Sequence, residues 1–262
     1  MNFIVLTIFP EMFNPFWEHG IIKRAIDRNK ILASAVNIRD FAQGKHRITD
    51  DRPYGGGCGM IMKPEPLAAA IRAATKKAPL AKRILLTPQG RCFDQDMARE
   101  FASWDGIILV CGRYEGVDER ICHNLIDDEV SIGDYVLTGG ELAAMVIIDA
   151  VTRLIPGVLG GKDSAEKDSF SGNVLKYAQY TRPRTFEGVD VPEVFLSGNH
   201  KEIEKARLES SLIRTFLKKR ELLENKSLNT KEIEILKKWC RDIEKIIYDQ
   251  SIRGPDPLSG DQ

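Results

Sequence analysis

Residues 106–116 read GIILVCGRYEG, an unbroken run of glycine, aliphatic residues and cysteine followed by a glycine-rich polar segment. A run without polar alternation is typical of a strand that is buried on both faces of a parallel sheet. Comparable aliphatic runs predict further strands at Phe3–Ile8, Ile31–Ile38, Arg83–Leu86 and Glu129–Ser131. The core of the fold is therefore expected to be a sheet with the 106–111 strand inside it.

Amphipathic segments alternate with these strands along the first part of the chain. Helices are predicted at Glu11–Arg28, Glu65–Thr75, Gln95–Ser103, Asp118–Leu125 and Gly139–Leu154. Strands that alternate with helices are the pattern of an α/β fold with a parallel sheet. We therefore predict an α/β domain over residues 1–160.

The character of the sequence changes after residue 160. Residues 161–177 are polar, short-chained and without periodicity, which predicts a flexible interdomain linker. Helical periodicity returns over Asn199–Leu217 and Thr230–Tyr248, with a cap for the last helix at Asn229 or Thr230. Residues 178–262 are accordingly predicted to form a small helical domain.

Composition limits the classes of function. The chain of 262 residues is 43% hydrophobic and 29% charged, and its 38 basic residues equal its 38 acidic ones. With no excess of positive charge, a nucleic acid partner has to be bound by local patches. No apolar run approaches the roughly 20 residues of a membrane helix, and no signal peptide is evident. The five cysteines form no C-x-x-C pair, so we expect reduced thiols and a cytoplasmic location. No feature of the sequence predicts a membrane or a different protein as a partner.

Three segments of unusual composition each follow a predicted strand. They read TPQG over 87–90, GRYEG over 112–116 and IGDYVLTGG over 132–140. Ligands bind at the carboxyl ends of parallel strands, and glycine lets the backbone approach a ligand closely. Any one segment alone is more simply an ordinary turn, but three together predict a ligand pocket. Neither G-x-G-x-x-G nor G-x-x-x-x-G-K-[ST] follows a strand, which disfavours a dehydrogenase or a P-loop enzyme.

Several longer motifs resemble one known family. They are DDRPYGGGCGM over 50–60, TPQG over 87–90, CGRYEGVDER over 111–120, SIGDYVL over 131–137, RLIPGVLG over 153–160, YTRP over 180–183 and LSGNH over 196–200. In this order and register, from about residue 2 to about 225, they resemble the bacterial tRNA (guanine-N1)-methyltransferases of the SPOUT superfamily.

The resemblance implies a fold and a cofactor that residue patterns do not reveal. Members of the superfamily thread the α/β domain into a deep trefoil knot, a feature nearly absent from other folds. They bind S-adenosylmethionine and act as homodimers with the active site at the subunit interface. A requirement for Mg²⁺ is also implied, at a site that the sequence leaves unknown. The implied cofactor contacts are Leu86, Thr87, Pro88, Gly112, Tyr114, Glu115, Ile132, Gly133, Asp134, Tyr135, Val136, Leu137, Gly139 and Gly140.

The implied reaction methylates N1 of the guanosine immediately 3′ of the tRNA anticodon (tRNA position 37) when another guanosine precedes it. Guanine N1 carries a proton at neutral pH, so a base must remove it, and negative charge then develops on O6. By resemblance, Asp168 is the base and Arg153 stabilises the charge on O6. Without the resemblance, each is more simply a solvated charge, in the linker and at a helix end.

Residues for contact with tRNA are expected in both domains. Asp50, Arg52, Tyr54, Gly57 and Gly59 belong to a loop that could clasp RNA, and Asn199 and His200 begin a helix. Arg207, Arg214 and Lys218 follow at a helical spacing that can track phosphates, although most such stripes are solvated helix faces. A related knotted methyltransferase of ribosomal RNA and a non-catalytic RNA-binding module are the alternatives.

Overall fold

The computed structural model describes residues 1–160, 168–170 and 172–253, with the side chains of 250–253 excepted. The chain divides into two compact units, Met1–Lys162 and Asp163–Gln262. Of the linker predicted over 161–177, residues 161–167 and 171 lie outside the described residues.

The first unit is built on a parallel sheet. Its strands are β1 (Asn2–Thr7), β2 (Leu32–Asn37), β3 (Asp50–Asp51), β4 (Ile61–Met62), β5 (Lys82–Cys92), β6 (Gly106–Cys111) and β7 (Asp128–Ser131). Five of them form one sheet in the order β2-β1-β6-β5-β7, with every pairing parallel. Strands β3 and β4 make a small antiparallel pair. The predicted α/β class with a parallel sheet is confirmed.

Helices cover both faces of this sheet. They are α1 (Asn14–Trp17), α2 (Gly20–Asp27), α3 (Pro64–Lys77), α4 (Gln95–Ala102), α5 (Glu119–Leu125) and α6 (Glu141–Thr152). Every residue of β6 is buried. Ile107 and Leu109 pack in one hydrophobic cluster, and Ile108 and Val110 pack in the other. A strand with two buried faces has no place for polar alternation, which explains the unbroken apolar run.

The single helix predicted over Glu11–Arg28 is wrong. A 3-10 turn at Pro10–Phe13 precedes α1, and α2 starts only at Gly20. The break lies at His19, whose backbone is extended (φ −131°, ψ 156°), and at Gly20, whose φ is 66°. Periodic hydrophobicity continues through this break, so the pattern alone concealed it.

The described residues of the second unit form three α-helices, a 3-10 turn at Glu193–Phe195 and a short hairpin. These are β8 (Thr185–Phe186), β9 (Val189–Asp190), α7 (His200–Lys218), α8 (Arg220–Glu224) and α9 (Thr230–Arg253). The Asn199 side chain accepts hydrogen bonds from two N–H groups of the first turn of α7. At the start of α9, the Asn229 side chain accepts from the Glu232 N–H (3.0 Å) and the Glu232 side chain accepts from the Asn229 N–H (2.9 Å). This reciprocal capping box identifies Asn229 as the cap.

Candidate active site

The segment 87–90 lies within a strand and not after one. Val130 of β7 pairs with Leu86 and again with Arg91, so Thr87–Gly90 bulge out of β5 while the strand continues to Cys92. The prediction that β5 ends at Leu86 is therefore wrong. At Gly90 a Cβ atom would lie 2.3 Å from the backbone carbon of Glu129, so only glycine fits.

The loop after β6 takes a strained path. Tyr114 has a φ of 61°, a left-handed conformation that is uncommon for a residue with a side chain. Backbone hydrogen bonds fasten the loop to β4 and the residue before it: the Glu115 N–H donates to Met60 O (2.9 Å), and the Met62 N–H donates to Gly116 O (2.9 Å). The loop over 50–60, which is predicted to contact RNA, is thus tied to the loop over 112–116, which is predicted to contact the cofactor.

The third loop closes against the second. The Gly140 N–H donates to Gly112 O at 3.0 Å. A Cβ atom at Gly140 would lie 2.8 Å from the Cα atom of Cys111 and 3.2 Å from the Cβ atom of Leu86. The start of α6 therefore fits closely beside the ends of β5 and β6.

A buried ion pair joins the second and third loops. Arg113 Nε lies 2.9 Å from Glu141 Oε2, with the two side chains 17% and 1% exposed. The Thr7 hydroxyl donates to Glu141 Oε1 at 2.6 Å, and Arg113 also donates to Thr138 O at 3.1 Å. The guanidinium carbon of Arg113 stands 4.7 Å from the centroid of the Phe9 ring. Because Glu141 is the first residue of α6, this pair anchors the helix to the loop after β6.

The three loops enclose one cavity of about 420 Å³. Of the predicted cofactor contacts, the following line it: Leu86, Thr87, Pro88, Gly112, Tyr114, Glu115, Ile132, Gly133, Tyr135, Val136, Leu137, Gly139 and Gly140. Asp134 is exposed and is not among the lining residues. The structure thus brings together segments that are separated by more than 40 residues in the sequence.

Several residues of the cavity wall were not predicted from the sequence. Gln89, Arg113, Glu119, Cys122, Glu129 and Thr138 also line the cavity. Gln89, Arg113 and Thr138 stood inside the quoted loops, but Glu119 and Cys122 belong to α5 and Glu129 belongs to β7. A helix face that turns towards a cavity has no local signature, so only the packing of α5 and β7 reveals these positions.

The cavity carries an excess of negative charge. Glu115, Glu119 and Glu129 line it, while the charge of Arg113, which also lines it, is matched by Glu141. Burial, followed by the nearby carboxylates of Glu129 and Glu119, raises the pKa of the Cys122 thiol to about 11. At neutral pH this thiol is protonated and cannot act as a nucleophile. Because the carboxylates of its lining have no excess of cations to match them, the cavity suits a ligand that bears positive charge.

A comparison with known families agrees with these motifs. The sequence model of the family described as tRNA (Guanine-1)-methyltransferase TrmD matches residues 1–225. The chain belongs to the TrmD family. The resemblance stated from the motifs is confirmed, and the match covers the whole first unit and the second as far as α8.

Similar TrmD-family proteins match nearly the full length of the chain. A tRNA (guanine-N(1)-)-methyltransferase of Desulfatibacillum aliphaticivorans is 53% identical over 259 residues, 99% of each chain. One of Syntrophotalea carbinolica is 52% identical and covers 92% of this chain and 97% of its own. One of Geobacter sulfurreducens is 54% identical and covers 90% and 96%.

The two predicted catalytic residues lie in different units. Arg153 follows α6 as its C-terminal cap, with an exposed side chain. Asp168 belongs to the second unit, where its Oδ1 atom lies 2.9 Å from Lys176 Nζ. The catalytic roles of the two residues stay predictions.

The predicted RNA residues differ in exposure. Tyr54 is fully exposed in the glycine-rich loop with Arg52, Gly57 and Gly59, whereas Asp50 lies in β3 and is half-buried. His200 is the first residue of α7, and Asn199 is its cap. These positions are compatible with contact to a ligand, and their roles remain predictions.

The basic stripe of α7 is more enclosed than the sequence indicated. Arg207 pairs with Glu204 (2.6 Å), and its guanidinium carbon stands 4.9 Å from the centroid of the Tyr177 ring. Arg214 is also half-buried, whereas Lys218 is exposed. Arg207 and Arg214 are thus partly buried while Lys218 is not, and contact of all three with tRNA stays a prediction.

Two kinds of feature are absent from the described residues. None of their helices combines the length and the hydrophobicity of a membrane span. Nor does that part of the chain gather three or more histidine, cysteine or acidic residues in a group that could hold a metal ion.

Proposed function

We propose that this chain transfers a methyl group from S-adenosylmethionine to N1 of guanine in tRNA. The proposed target is the guanosine immediately 3′ of the anticodon, when another guanosine precedes it. The acidic cavity built by the three glycine-rich loops carries the proposal, together with membership of the TrmD family and relatives named tRNA (guanine-N(1)-)-methyltransferase.

The cavity fits S-adenosylmethionine in size and in charge. A volume of about 420 Å³ is within the usual range for small-molecule sites. The carboxylates of Glu115, Glu119 and Glu129 suit a ligand with a cationic sulfur and an ammonium group better than one with phosphates. When bound, S-adenosylmethionine supplies a methyl group that departs from a cationic sulfur, leaving a neutral thioether.

The catalytic residues of this chain have distinct proposed roles. Asp168 accepts the proton of guanine N1, which makes that nitrogen nucleophilic as it takes the methyl group. Arg153 donates hydrogen bonds to O6, where negative charge develops as the proton leaves. The described residues offer no cluster of metal ligands, so we assign Mg²⁺ no site and no step.

We also propose the homodimer and the knot of the family. Four apolar side chains around the Arg113–Glu141 pair are between 39% and 52% exposed, and these are Phe9, Met12, Leu142 and Val146. A second copy of the chain that covers them would remove this surface from water, as symmetric dimers commonly do. The knot is proposed from membership of the TrmD family, and the close fit of Gly140 beside Cys111 and Leu86 is compatible with it.

The decisive experiment compares two tRNA transcripts that differ only in guanosine or adenosine immediately 3′ of the anticodon. With radiolabelled S-adenosylmethionine, we expect label on the guanosine transcript alone, at N1. Equal label on both would move the target elsewhere in the RNA. Binding of S-adenosylmethionine without methyl transfer to either transcript would favour the alternative of a non-catalytic RNA-binding module.

The catalytic residues and the dimer are tested together. Asp168→Asn should retain S-adenosylmethionine and abolish transfer, because the amide cannot accept the proton; near-normal turnover would end that assignment. Mixing inactive Asp168→Asn and Arg153→Ala proteins should restore about a quarter of the wild-type rate, as random subunit exchange predicts for a site shared between subunits. A mixture that stays inactive would place both residues in one subunit.

A further inference from the structure

The segment 175–178, which follows Asp168 in the chain, is fastened to α7 by hydroxyl groups. The Leu175 N–H donates to Thr215 Oγ1 (2.8 Å), and the Ser211 hydroxyl donates to Leu175 O (2.5 Å). Further along, the Ala178 N–H donates to Ser210 Oγ at 2.9 Å. The backbone that flanks Lys176 is therefore mounted on a rigid helix.

A lysine extends from this mounted segment to Asp168. Lys176 Nζ lies 2.9 Å from Asp168 Oδ1, and the two side chains are 28% and 31% exposed. The Lys176 N–H also donates to the Ser169 hydroxyl at 3.0 Å. Both the side chain and the backbone of Lys176 thus hold the turn that contains the proposed base.

We propose that Lys176 is a positioning residue that orients the Asp168 carboxylate for proton transfer. This inference rests on the proposed function, in which Asp168 is the base. The contacts that orient the carboxylate and the Lys176 backbone all come from residues of the second unit, so that unit supplies its own means of holding Asp168. A base that is already oriented spares the enzyme the cost of ordering it in the transition state.

The effect of Lys176 belongs to the chemical step and not to folding. An ion pair of this exposure adds little to stability because water competes for both charges. A small displacement of a catalytic group, by contrast, costs a large factor in rate. Lys176 therefore acts on kcat, with little influence on the melting temperature or on the affinity for S-adenosylmethionine.

The test replaces Lys176 by glutamine and by arginine in the full chain. We expect Lys176→Gln to lower kcat about tenfold while KM for tRNA and the melting temperature stay near wild type. Lys176→Arg keeps a cation in reach of Asp168 and should recover most of the rate. The matched control is Lys23→Gln, which breaks a Lys23–Asp27 pair of 3.2 Å on α2.

A second pair of variants tests the mounting independently. Thr215→Val removes the hydroxyl that accepts from the Leu175 N–H and should lower kcat. Thr215→Ser keeps that hydroxyl and should keep kcat near wild type. Unchanged or raised kcat in Lys176→Gln, or a loss that appears only in KM for tRNA, would overturn the inference. A loss that arginine does not restore would overturn it as well.

Failure of the base assignment itself gives a different result. If Asp168→Asn turns over near the wild-type rate, the proposed function of Asp168 fails, whatever Lys176 does. If Asp168→Asn is inactive while Lys176→Gln is normal, Asp168 remains the base and only the positioning role is lost.

Discussion

Two ion pairs, one in each unit, show two ways of holding a functional group. Arg113 and Glu141 are 17% and 1% exposed and join two cavity loops across 28 residues. Lys176 and Asp168 are 28% and 31% exposed and belong to one local turn. Arg113 of the first pair lines the cavity, and the second pair includes the proposed base.

The difference in burial separates stability from rate. Removing one partner of a buried pair leaves a charge without compensation in a medium of low dielectric. An exposed pair loses only a weak, screened interaction. Breaking the Arg113–Glu141 pair should therefore lower the free energy of unfolding of the first unit. Breaking the Lys176–Asp168 pair should change that of the second unit little.

The largest expected effect is that of Arg113→Met. It leaves the Glu141 carboxylate buried beside the Thr7 hydroxyl alone, which should destabilise the protein by about 3–5 kcal/mol. Urea denaturation measures the loss, and the double variant Arg113→Met/Glu141→Leu should recover most of it. A loss below about 1 kcal/mol would erase the contrast with Lys176→Gln.

The next effect compares two glycines of the same cavity. A Cβ atom at Gly90 would meet the backbone of Glu129 at 2.3 Å, whereas one at Gly112 finds its nearest atom at 3.7 Å. Gly90→Ala should therefore cost about 1–3 kcal/mol by overpacking, and Gly112→Ala much less. Thermal unfolding of both variants checks this. Equal losses of stability would mean that the Thr87–Gly90 bulge can shift to accommodate the extra methyl group.

A third comparison concerns tRNA binding by α7. Lys218 is exposed, whereas Arg207 is engaged with Glu204 and Tyr177. Lys218→Ala should lower the slope of log K against log salt by about 0.9, the value for one lost phosphate contact. Arg207→Ala should change that slope less, because its guanidinium already has an anionic partner. The reverse order would show that Arg207 leaves Glu204 for the RNA.

The smallest effect is expected at a third pair, which is as exposed as Lys176–Asp168 but lies in the first unit. Arg83 binds Asp127 through two side-chain hydrogen bonds (2.9 and 2.5 Å), which lower the pKa of that carboxyl. A lowered pKa contributes stability above the unfolded value of about 3.9, and the contribution is lost as the pH falls through the folded value. Asp127→Asn should therefore cost up to about 1 kcal/mol at pH 7 and less below about pH 4. Urea denaturation at both pH values checks this, and a difference that does not depend on pH would refute it.

The elements of the first unit were largely predictable, because their signals are local. The apolar run 106–111 predicted the central strand, and the glycine-rich segments 112–116 and 132–140 predicted walls of the cavity. In the second unit, Asn229 was one of two predicted caps for α9 because polar caps have a short sequence signature. The break at His19 was missed since hydrophobic periodicity runs through it, and the bulge at Thr87–Gly90 was missed because strand pairing is not local.

The class of the fold, the three glycine-rich segments that line the cavity and the family of the chain can be read from the sequence alone, since strand patterns, glycine positions and motif order are local properties of the chain. Three features emerge only in the folded protein: Glu141 is buried against Arg113, Glu119 and Glu129 make the cavity acidic, and Lys176 holds Asp168. Burial and ion pairing depend on which segments meet in space, and the spacing of residues along the chain does not specify that.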